Sequence, residues 1–247
     1  MVIWAPLAGV YAQTEPVRVP VLVYHRFGPA LADNMTMRTT DFAAELAYLH
    51  ENHYPVIPAR QLVDYLRGAQ APPPARAVVI TVDDAHRSVF SDMLPLVEKY
   101  KVPVTLFVYP SAVSNASYAM TWEQLAELQR SGLFNIQSHT YWHPNFKVER
   151  RRLSPETYDR FVRDQLTKAR TVLERRTGGT VNLLAWPFGI YDAELIRIAQ
   201  QTGYIGGFTL ERRPAGQPDN PMAIPRYLMA GNVSLATFAA IVRGRAR

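Results

Sequence analysis

The chain has 247 residues, of which 48% are hydrophobic and 19% are charged, a balance typical of a globular protein with a sizeable core. It contains no cysteine, so disulfides, thiolate nucleophiles and cysteine-bound zinc are excluded. Any metal ion must therefore be held by histidine, aspartate or glutamate. No stretch approaches the roughly 20 apolar residues that a membrane-spanning helix requires.

The formal net charge of +6 comes from basic residues that are scattered along the chain. The densest basic run is the arginine run 150–152, and it has no aromatic residues among its cations. We interpret it as the solvated start of a helix, with a nucleic-acid patch as the alternative. No nucleic-acid partner is therefore expected.

The first residues, MVIWAPLAGVYAQTEP, combine a short apolar run with small residues before Gln13. This pattern resembles the end of a secretory signal peptide, although the basic residues that usually begin one are missing. A plain apolar segment is the alternative. We expect residues 1–18 to be a terminal segment, residues 19–247 to be one folded domain, and the protein to be periplasmic or extracellular.

Strand and helix patterns alternate along the chain, and this alternation predicts an α/β fold with a mainly parallel sheet. Six or seven strand–helix units favour a closed or nearly closed barrel, with an open doubly wound sheet as the alternative. No glycine-rich phosphate loop follows a strand, which argues against a nucleotide-binding version of that sheet. The strand-like runs are 19–24, 55–57, 77–82, 104–109, 134–138, 182–186 and 204–208. The helical patterns are 41–53, 60–68, 91–100, 121–132, 155–177, 191–203 and 234–244, with Asp41 and Thr121 as N-caps.

Polar side chains follow several predicted strands at the point where each strand ends. His25 follows the first strand, Asp83 and Asp84 follow the apolar run AVVITV, and His139 follows a later strand. In a parallel β/α barrel the carboxyl ends of the strands open onto one face, so these distant segments converge there. The sequence therefore predicts a functional site at that face.

The stretch SHTYWH places His139 and His143 four residues apart. On a helical turn this spacing brings both imidazoles to one side. Two neutral imidazoles and one carboxylate can hold Zn²⁺ or a similar ion and leave coordination positions open. The pattern is weak alone, and a neighbouring aspartate doublet strengthens it.

Under this hypothesis Asp83 and Asp84 have different roles. One carboxylate binds the metal, and the other remains free to accept a proton. The alternative is an N-cap for the following helix. A cap needs only one aspartate, and a second would add only repulsion.

These motifs resemble those of the polysaccharide deacetylase (NodB-homology, carbohydrate esterase) superfamily. TVDDAHRSVF resembles its TFDDG motif, SHTYWH resembles H-[S/T]-x-x-H, and WPFG resembles the end of R-x-P-[Y/F]-G, in the same order from about Pro20 onwards. The resemblance implies a distorted, incomplete β/α barrel and a catalytic domain over residues 19–247. It also implies metal-dependent removal of N-acetyl groups from a polymer that contains N-acetylglucosamine.

The resemblance assigns roles by position. It implies that Asp83 is the general base and that Asp84, His139 and His143 bind one divalent ion, with zinc expected and cobalt, nickel or iron as alternatives. It further implies that the backbone N–H of Phe188 helps to hold the oxyanion, a contribution worth about 2.7–4 kcal/mol of barrier in comparable sites.

The sequence departs from the family pattern at three points. Ala85 replaces the usual glycine, Ala185 stands where many members carry an arginine that orients the base, and no histidine follows His143 to act as general acid. Arg226, in IPRY, is the predicted source of the missing charge. His25, in VLVYHRF, is the predicted acid, and this early Y-H element resembles the exported poly-N-acetylglucosamine deacetylase branch.

Four residues beside the motifs are candidates for substrate contact: Trp142, Trp186, Pro187 and His86. The tryptophans could form a wall for the acetyl methyl group or stack on a sugar ring, with core packing as the alternative. His86 could line the pocket or lie on the surface. Two other functions stay open, namely action on peptidoglycan or chitin-like oligomers, and a degenerate carbohydrate-binding module.

Overall fold

Strands and helices alternate along the chain in the computed structural model, which describes residues 17–245. The strands are β1 Val21–Tyr24, β2 Arg26–Gly28, β3 Thr36–Arg38, β4 Val79–Asp83, β5 Val104–Val108, β6 Phe134–Ser138, β7 Leu183–Ala185, β8 Gly206–Phe208 and β9 Tyr227–Leu228. The helices are α1 Thr39–Glu51, α2 Ala59–Leu66, α3 Leu94–Tyr100, α4 Trp122–Arg130, α5 Phe146–Arg152, α6 Pro155–Thr177, α7 Ala193–Gln201 and α8 Leu235–Val242. A π-helical turn at Val89–Met93 precedes α3, and a 3-10 turn at Pro187–Gly189 follows β7.

The main sheet has seven strands in the order β8-β7-β6-β5-β4-β1-β9, and every neighbouring pair is parallel. From β4 to β8, consecutive strands of the sheet are also consecutive along the chain. A doubly wound sheet would instead reverse its order at an inner strand. The barrel prediction is therefore confirmed, and the open-sheet alternative is wrong.

The sheet curls until its two edges meet near β9. Ile224 makes a parallel bridge to Phe208 in β8, and Tyr227 pairs with Leu22 in β1. This closure involves few residues, so the barrel is distorted and incomplete, as the resemblance implied. Arg226 lies between the two contacts.

The strands are apolar because both of their faces are covered. All residues of β1, β4 and β5 are buried. Alternate residues enter two apolar clusters, with Leu22 and Ile80 in the larger one and Val21 and Val79 in the smaller one. A polar group at the end of such a strand is thus carried into a region with little water.

Two expectations for the helices are wrong. The arginine run 150–152 ends α5 rather than beginning a helix, and cations there interact favourably with the last carbonyl groups. Helix α1 begins at Thr39, so Asp41 lies in its first turn instead of capping it. The cap of α4 is confirmed, since Thr121 and Gln124 exchange side chain–backbone hydrogen bonds.

The predicted signal-peptide remnant falls almost wholly within residues 1–16, outside the described residues, and stays a prediction. No helix within residues 17–245 combines the length and the apolar content needed to cross a membrane. The earliest part of the chain that the structure describes is held by backbone hydrogen bonds of 2.7 and 2.9 Å between Val19 and Ala215.

A buried carboxyl group packs beside the first strand. Glu45 of α1 is 2% exposed, and its Oε2 accepts a 2.8 Å hydrogen bond from the Tyr24 hydroxyl. Burial raises the pKa of Glu45 to about 8, against the opposing effect of the Tyr24 bond. The folded protein therefore keeps this proton over a pH range in which the unfolded chain has lost it.

We expect Glu45→Gln to stabilise the protein increasingly as the pH rises. The folded pKa of about 8 lies above the ordinary value of 4.5. The stability of the wild type therefore falls between these pH values, by up to about 1.4 kcal/mol per pH unit. Glutamine cannot ionise, and its carbonyl can still accept the Tyr24 bond.

Urea denaturation of both proteins at several pH values between these limits measures the effect. Glu51→Gln, at an exposed position of the same helix, is the control and should show no growing difference. A constant difference between Glu45→Gln and the wild type across the range would contradict the assignment.

Candidate metal and catalytic site

The aspartate doublet lies at the carboxyl end of β4, where the chain turns sharply. Asp83 is the last residue of the strand and is 2% exposed. Asp84 and Ala85 follow with φ angles of 76° and 60°. Aspartate adopts this left-handed conformation more readily than most residues, whereas alanine is disfavoured there relative to glycine. Ala85 thus keeps the turn of the family motif at some cost in backbone strain.

Asp83 is bound on both of its oxygens by Arg226. Nη1 and Nη2 of the guanidinium donate to Oδ1 and Oδ2, each at 2.8 Å. Arg226 also donates to Thr81 Oγ1 at 3.2 Å and to the Thr209 carbonyl at 2.9 Å. Its side chain is fully buried, and it lies where the sequence predicted a charge for Asp83.

The environment of Asp83 favours its ionised form. Burial alone would raise the pKa of Asp83, but the Arg226 guanidinium and His139 hold it well below its usual range. The rings of Phe107 and Phe208 lie 5.7 and 6.0 Å from the guanidinium carbon. The pair is therefore shielded from water and held in a fixed bidentate geometry.

His139 presents one ring nitrogen to the doublet. Its Nδ1 donates a 2.8 Å hydrogen bond to the carbonyl of Ala185, so Nε2 carries the lone pair. Nε2 lies 3.6 Å from Asp84 Oδ1 and 3.8 Å from Asp83 Oδ2. Burial lowers the pKa of His139 to about 3. The ring is therefore neutral at physiological pH, as a metal ligand must be.

His143 reaches the same place by a bend rather than a helix. The chain between the two histidines has no helical residues, and Thr140 and His143 have φ angles of 65° and 64°. The helical turn expected from the spacing is therefore wrong. The bend still brings the two ring centroids to 4.5 Å, with His143 Nε2 at 3.9 Å from Asp84 Oδ1.

Asp84, His139 and His143 together could hold one metal ion. Each offers a ligand atom, and these atoms all lie within 4.8 Å of one another. Burial raises the pKa of Asp84, an effect that His25 opposes and Asp83 increases. The contacts are longer than hydrogen bonds and bring lone pairs together, which a cation would stabilise. The ligand set fits zinc or a similar divalent ion.

His25 lies between β1 and β2, at the same end of the sheet. It is near enough to Asp84 to lower the pKa of that carboxyl, against the effect of burial. Within the described part of the chain, His25 Nδ1 is buried and has no hydrogen-bond partner. Such a group is unusual in a native structure, and a polar ligand would satisfy it.

Aromatic residues surround the ring of His143. Phe188 has a left-handed φ of 56°, is 56% exposed, and has its ring 4.6 Å from that of His143. The Tyr109 ring lies at 5.5 Å, and its hydroxyl is 2.6 Å from that of Tyr118. Sequence reasoning missed both tyrosines. Tyr109 ends a predicted strand at the face where the site lies, and this position could have indicated it from the sequence. Tyr118 lies in a loop for which the sequence contained no such indication.

Two of the four predicted substrate contacts are buried instead. Trp186 is 0% exposed, and its indole N–H donates to the Met222 carbonyl at 2.9 Å. The prediction that it meets a sugar or an acetyl group is wrong, because its ring is part of the core. Pro187 is also buried, so its predicted substrate contact is wrong as well, and its place is in the turn that carries Phe188.

The other two predicted contacts are accessible. His86 is half-buried, with its ring stacked on Tyr118 at 6.3 Å and Nδ1 2.8 Å from Ser88 Oγ. Trp142 is 42% exposed and packs against Phe161 rather than against the metal ligands. His86 thus lies on the tyrosine side of the site, and Trp142 faces a separate groove.

The acids and histidines at the carboxyl end of this parallel barrel form a candidate metal centre. Residues 70–206 match the family described as Polysaccharide deacetylase, and the chain belongs to that family. The resemblance seen in the sequence motifs is therefore confirmed, and so is the class of enzyme.

Known relatives agree with this assignment. The poly-β-1,6-N-acetyl-D-glucosamine N-deacetylase of Escherichia coli (strain K12) is 26% identical over 254 residues, which cover 87% of this chain and 37% of that protein. This chain therefore spans well under half of that relative.

Two solved structures share the fold. The deacetylase PplD of Streptococcus pyogenes, in complex with acetate, has a TM-score of 0.80 at 20% identity and covers 92% of this chain and 99% of its own. IcaB of Ammonifex degensii has a TM-score of 0.78 at 25% identity, with coverages of 93% and 97%. The distorted, incomplete barrel is thus the fold of both proteins.

We expect Arg226→Ala to lower the free energy of unfolding by about 3–5 kcal/mol, because it leaves Asp83 buried without its partner. Urea denaturation measures this loss, and Asp83→Asn in the same chain should recover part of it. Arg60→Ala, which removes an i,i+4 pair with Asp64 at the surface of α2, is the control and should cost less than about 1 kcal/mol. Equal losses in Arg226→Ala and Arg60→Ala would contradict the assignment.

Proposed function

We propose that this protein is a metal-dependent N-deacetylase that releases acetate from a polymer containing N-acetylglucosamine. The observation that carries the proposal is the unequal surroundings of the two neighbouring aspartates. Asp83 is fixed and ionised by Arg226, whereas Asp84 faces two neutral imidazoles. A base and a metal ligand are thus available side by side.

Asp84, His139 and His143 would hold the ion. Zinc best suits two imidazoles and one carboxylate, and cobalt, nickel or iron would also be accepted. When bound, such an ion polarises a carbonyl group and makes a water molecule more acidic. The Nδ1–H bond from His139 to Ala185 fixes the ring so that its other nitrogen faces the ion.

Asp83 would act as the general base. It accepts the proton of the attacking water as the water oxygen adds to the acetamide carbonyl carbon. Its oxygens each accept one bond from Arg226, and a carboxylate oxygen has a further lone pair to receive that proton. Arg226 therefore acts as a positioning residue, since it sets the direction and charge of this carboxylate.

Two further groups would complete the reaction. The backbone N–H of Phe188 would donate to the oxyanion, in the role that the family resemblance implies. His25 would give a proton to the amide nitrogen as the carbon–nitrogen bond breaks. Acetate then leaves, and the sugar keeps a free amine. The buried, unpartnered Nδ1 of His25 and the proximity of this ring to Asp84 support this role.

The name of the E. coli relative supports poly-N-acetylglucosamine as the substrate class, and peptidoglycan and chitin-like oligomers would meet the same chemistry. The intact pair of Asp83 and Arg226 opposes a degenerate binding module, which has no need of an oriented base. A polymer of this kind is encountered outside the cytoplasm, so we place the reaction in the periplasm or the extracellular space.

We expect acetate release from N-acetylglucosamine polymers to require both Asp83 and the metal ion. Asp83→Asn leaves Arg226 without its charged partner, so its fold is checked by circular dichroism. The folded variant should lower turnover by a factor of about 10²–10⁴ without loss of bound metal. A chelator should abolish activity in the wild type, and added zinc should restore it. The control Asp64→Asn removes a half-buried carboxylate on α2 that pairs with Arg60 and should leave turnover intact.

Comparison of polymers with different linkages distinguishes the substrate alternatives. Metal-loaded protein that releases no acetate from any acetamide substrate would overturn the proposed activity and favour the binding module.

We expect His25→Ala to slow amide hydrolysis by a factor of about 10²–10⁴ and to slow hydrolysis of an aryl acetate ester much less. The phenolate of the ester leaves without a proton, so it has little need of an acid. Metal content should stay unchanged, and His50→Ala, at an exposed position on α1, is the control. Equal losses on amide and ester would remove His25 from this role.

A further inference from the structure

A groove of about 590 Å³ lies beside the loop that carries the metal ligands. We call it the α6 groove, because one wall is the exposed side of helix α6 and the other is formed by Tyr141 and Trp142. The catalytic groups assigned above do not line it. Trp142 directly precedes the candidate ligand His143, so the two share one loop.

Trp142 is the main apolar surface of the α6 groove. It is 42% exposed, which is a large area of aromatic ring to leave in water. The residue is nevertheless fixed: its backbone N–H donates at 3.1 Å to Oε1 of the buried Gln165, and its ring meets the Phe161 ring at 5.9 Å and 63°. Tryptophan is enriched at binding interfaces, because it combines a large apolar ring with a polar N–H.

Polar side chains complete the α6 groove. The exposed residues of α6 that line it recur at helical spacing, so they form one stripe: Asp164, Thr167, Lys168, Thr171 and Arg175. The Lys168 ammonium lies 3.9 Å from the centre of the Tyr141 ring and covers that face. Trp142 is therefore the ring left free for a ligand, with hydrogen-bonding groups facing it.

An aromatic face next to a row of donors and acceptors matches the chemistry of a pyranose ring. Its C–H face is apolar and can stack on an indole, and the hydroxyl groups at its edge form hydrogen bonds. The charges of the stripe are mixed in sign, with Asp164 among Lys168 and Arg175. A neutral sugar therefore suits the α6 groove better than a strongly charged ligand.

We propose that the α6 groove is a second sugar-binding site, in which a pyranose residue distant from the reacting one stacks on Trp142. This inference rests on the proposed deacetylase activity and adds a preference for substrate length to it. A polymer can occupy the site and the α6 groove together, whereas a single acetamido sugar occupies only the site. The protein then selects long chains over short ones.

The first test compares kcat/KM for acetate release from a long N-acetylglucosamine oligomer with that from the single sugar. In Trp142→Ala the ratio of the two values should fall about tenfold, the size of one lost stacking contact. Trp142→Phe should recover part of the ratio, because it keeps an aromatic face. Metal content is measured in each variant to show that the neighbouring ligands are intact.

The second test fills the α6 groove without touching Trp142. Thr171→Trp should lower the ratio of kcat/KM for the long oligomer to that for the single sugar. The control is Arg160→Trp, which places the same side chain at an exposed position of α6 outside the groove. The control should leave the ratio unchanged. An unchanged ratio in both Trp142→Ala and Thr171→Trp would overturn the proposal. An equal fall for long and short substrates would do the same.

A binding measurement keeps this proposal separate from the proposed activity. Asp83→Asn should bind the long oligomer in calorimetry, and adding Trp142→Ala should weaken that binding about tenfold. If the wild type releases no acetate but Trp142→Ala still weakens oligomer binding, the proposed deacetylase activity is wrong and the proposed sugar site in the α6 groove is supported. If acetate is released and oligomer binding does not depend on Trp142, the second site is wrong and the activity stands.

Discussion

The buried pair of Asp83 and Arg226 is the interaction on which the rest of the site depends. Asp83 is 2% exposed and Arg226 is fully buried, so either charge alone would be strongly destabilising. The guanidinium binds both oxygens of Asp83, whereas no arginine or lysine among residues 17–245 forms an ion pair with Asp84. Asp84 faces His139 and His143 instead, and a metal ion there would balance its charge. One arginine thereby makes two adjacent carboxylates chemically different.

Most of the scaffold could be predicted because its strands and helices carry strong local patterns. β6 and α6 have the bounds that the sequence indicated. The turn at Asp84 and the bend from His139 to His143 could not be predicted. They depend on left-handed residues such as Thr140, whose side chains give no sign of that conformation. A helix and a bend can both bring two histidines together at the same spacing.

The two tryptophans beside the motifs show a second limit of sequence reasoning. Trp186 and Trp142 each stand in or beside a family motif, yet one is in the core and the other is exposed. The difference arises from distant partners, since Trp186 meets the Met222 carbonyl and Trp142 meets α6. Arg226, in contrast, could be predicted from the sequence. The family pattern calls for a cation beside Asp83, and the strand-like segment IPRY contains one.

The short closing strand β9 has a consequence for the order in which the protein matures. Arg226 and Asp83 are 143 residues apart in sequence, and the arginine arrives only when the last segment docks between β8 and β1. Contacts of such long range form late and slowly during folding. During synthesis the candidate metal ligands therefore precede the arginine that would orient Asp83. Under the proposed mechanism, a chain cut before Arg226 would keep these candidate ligands but would lack an oriented base.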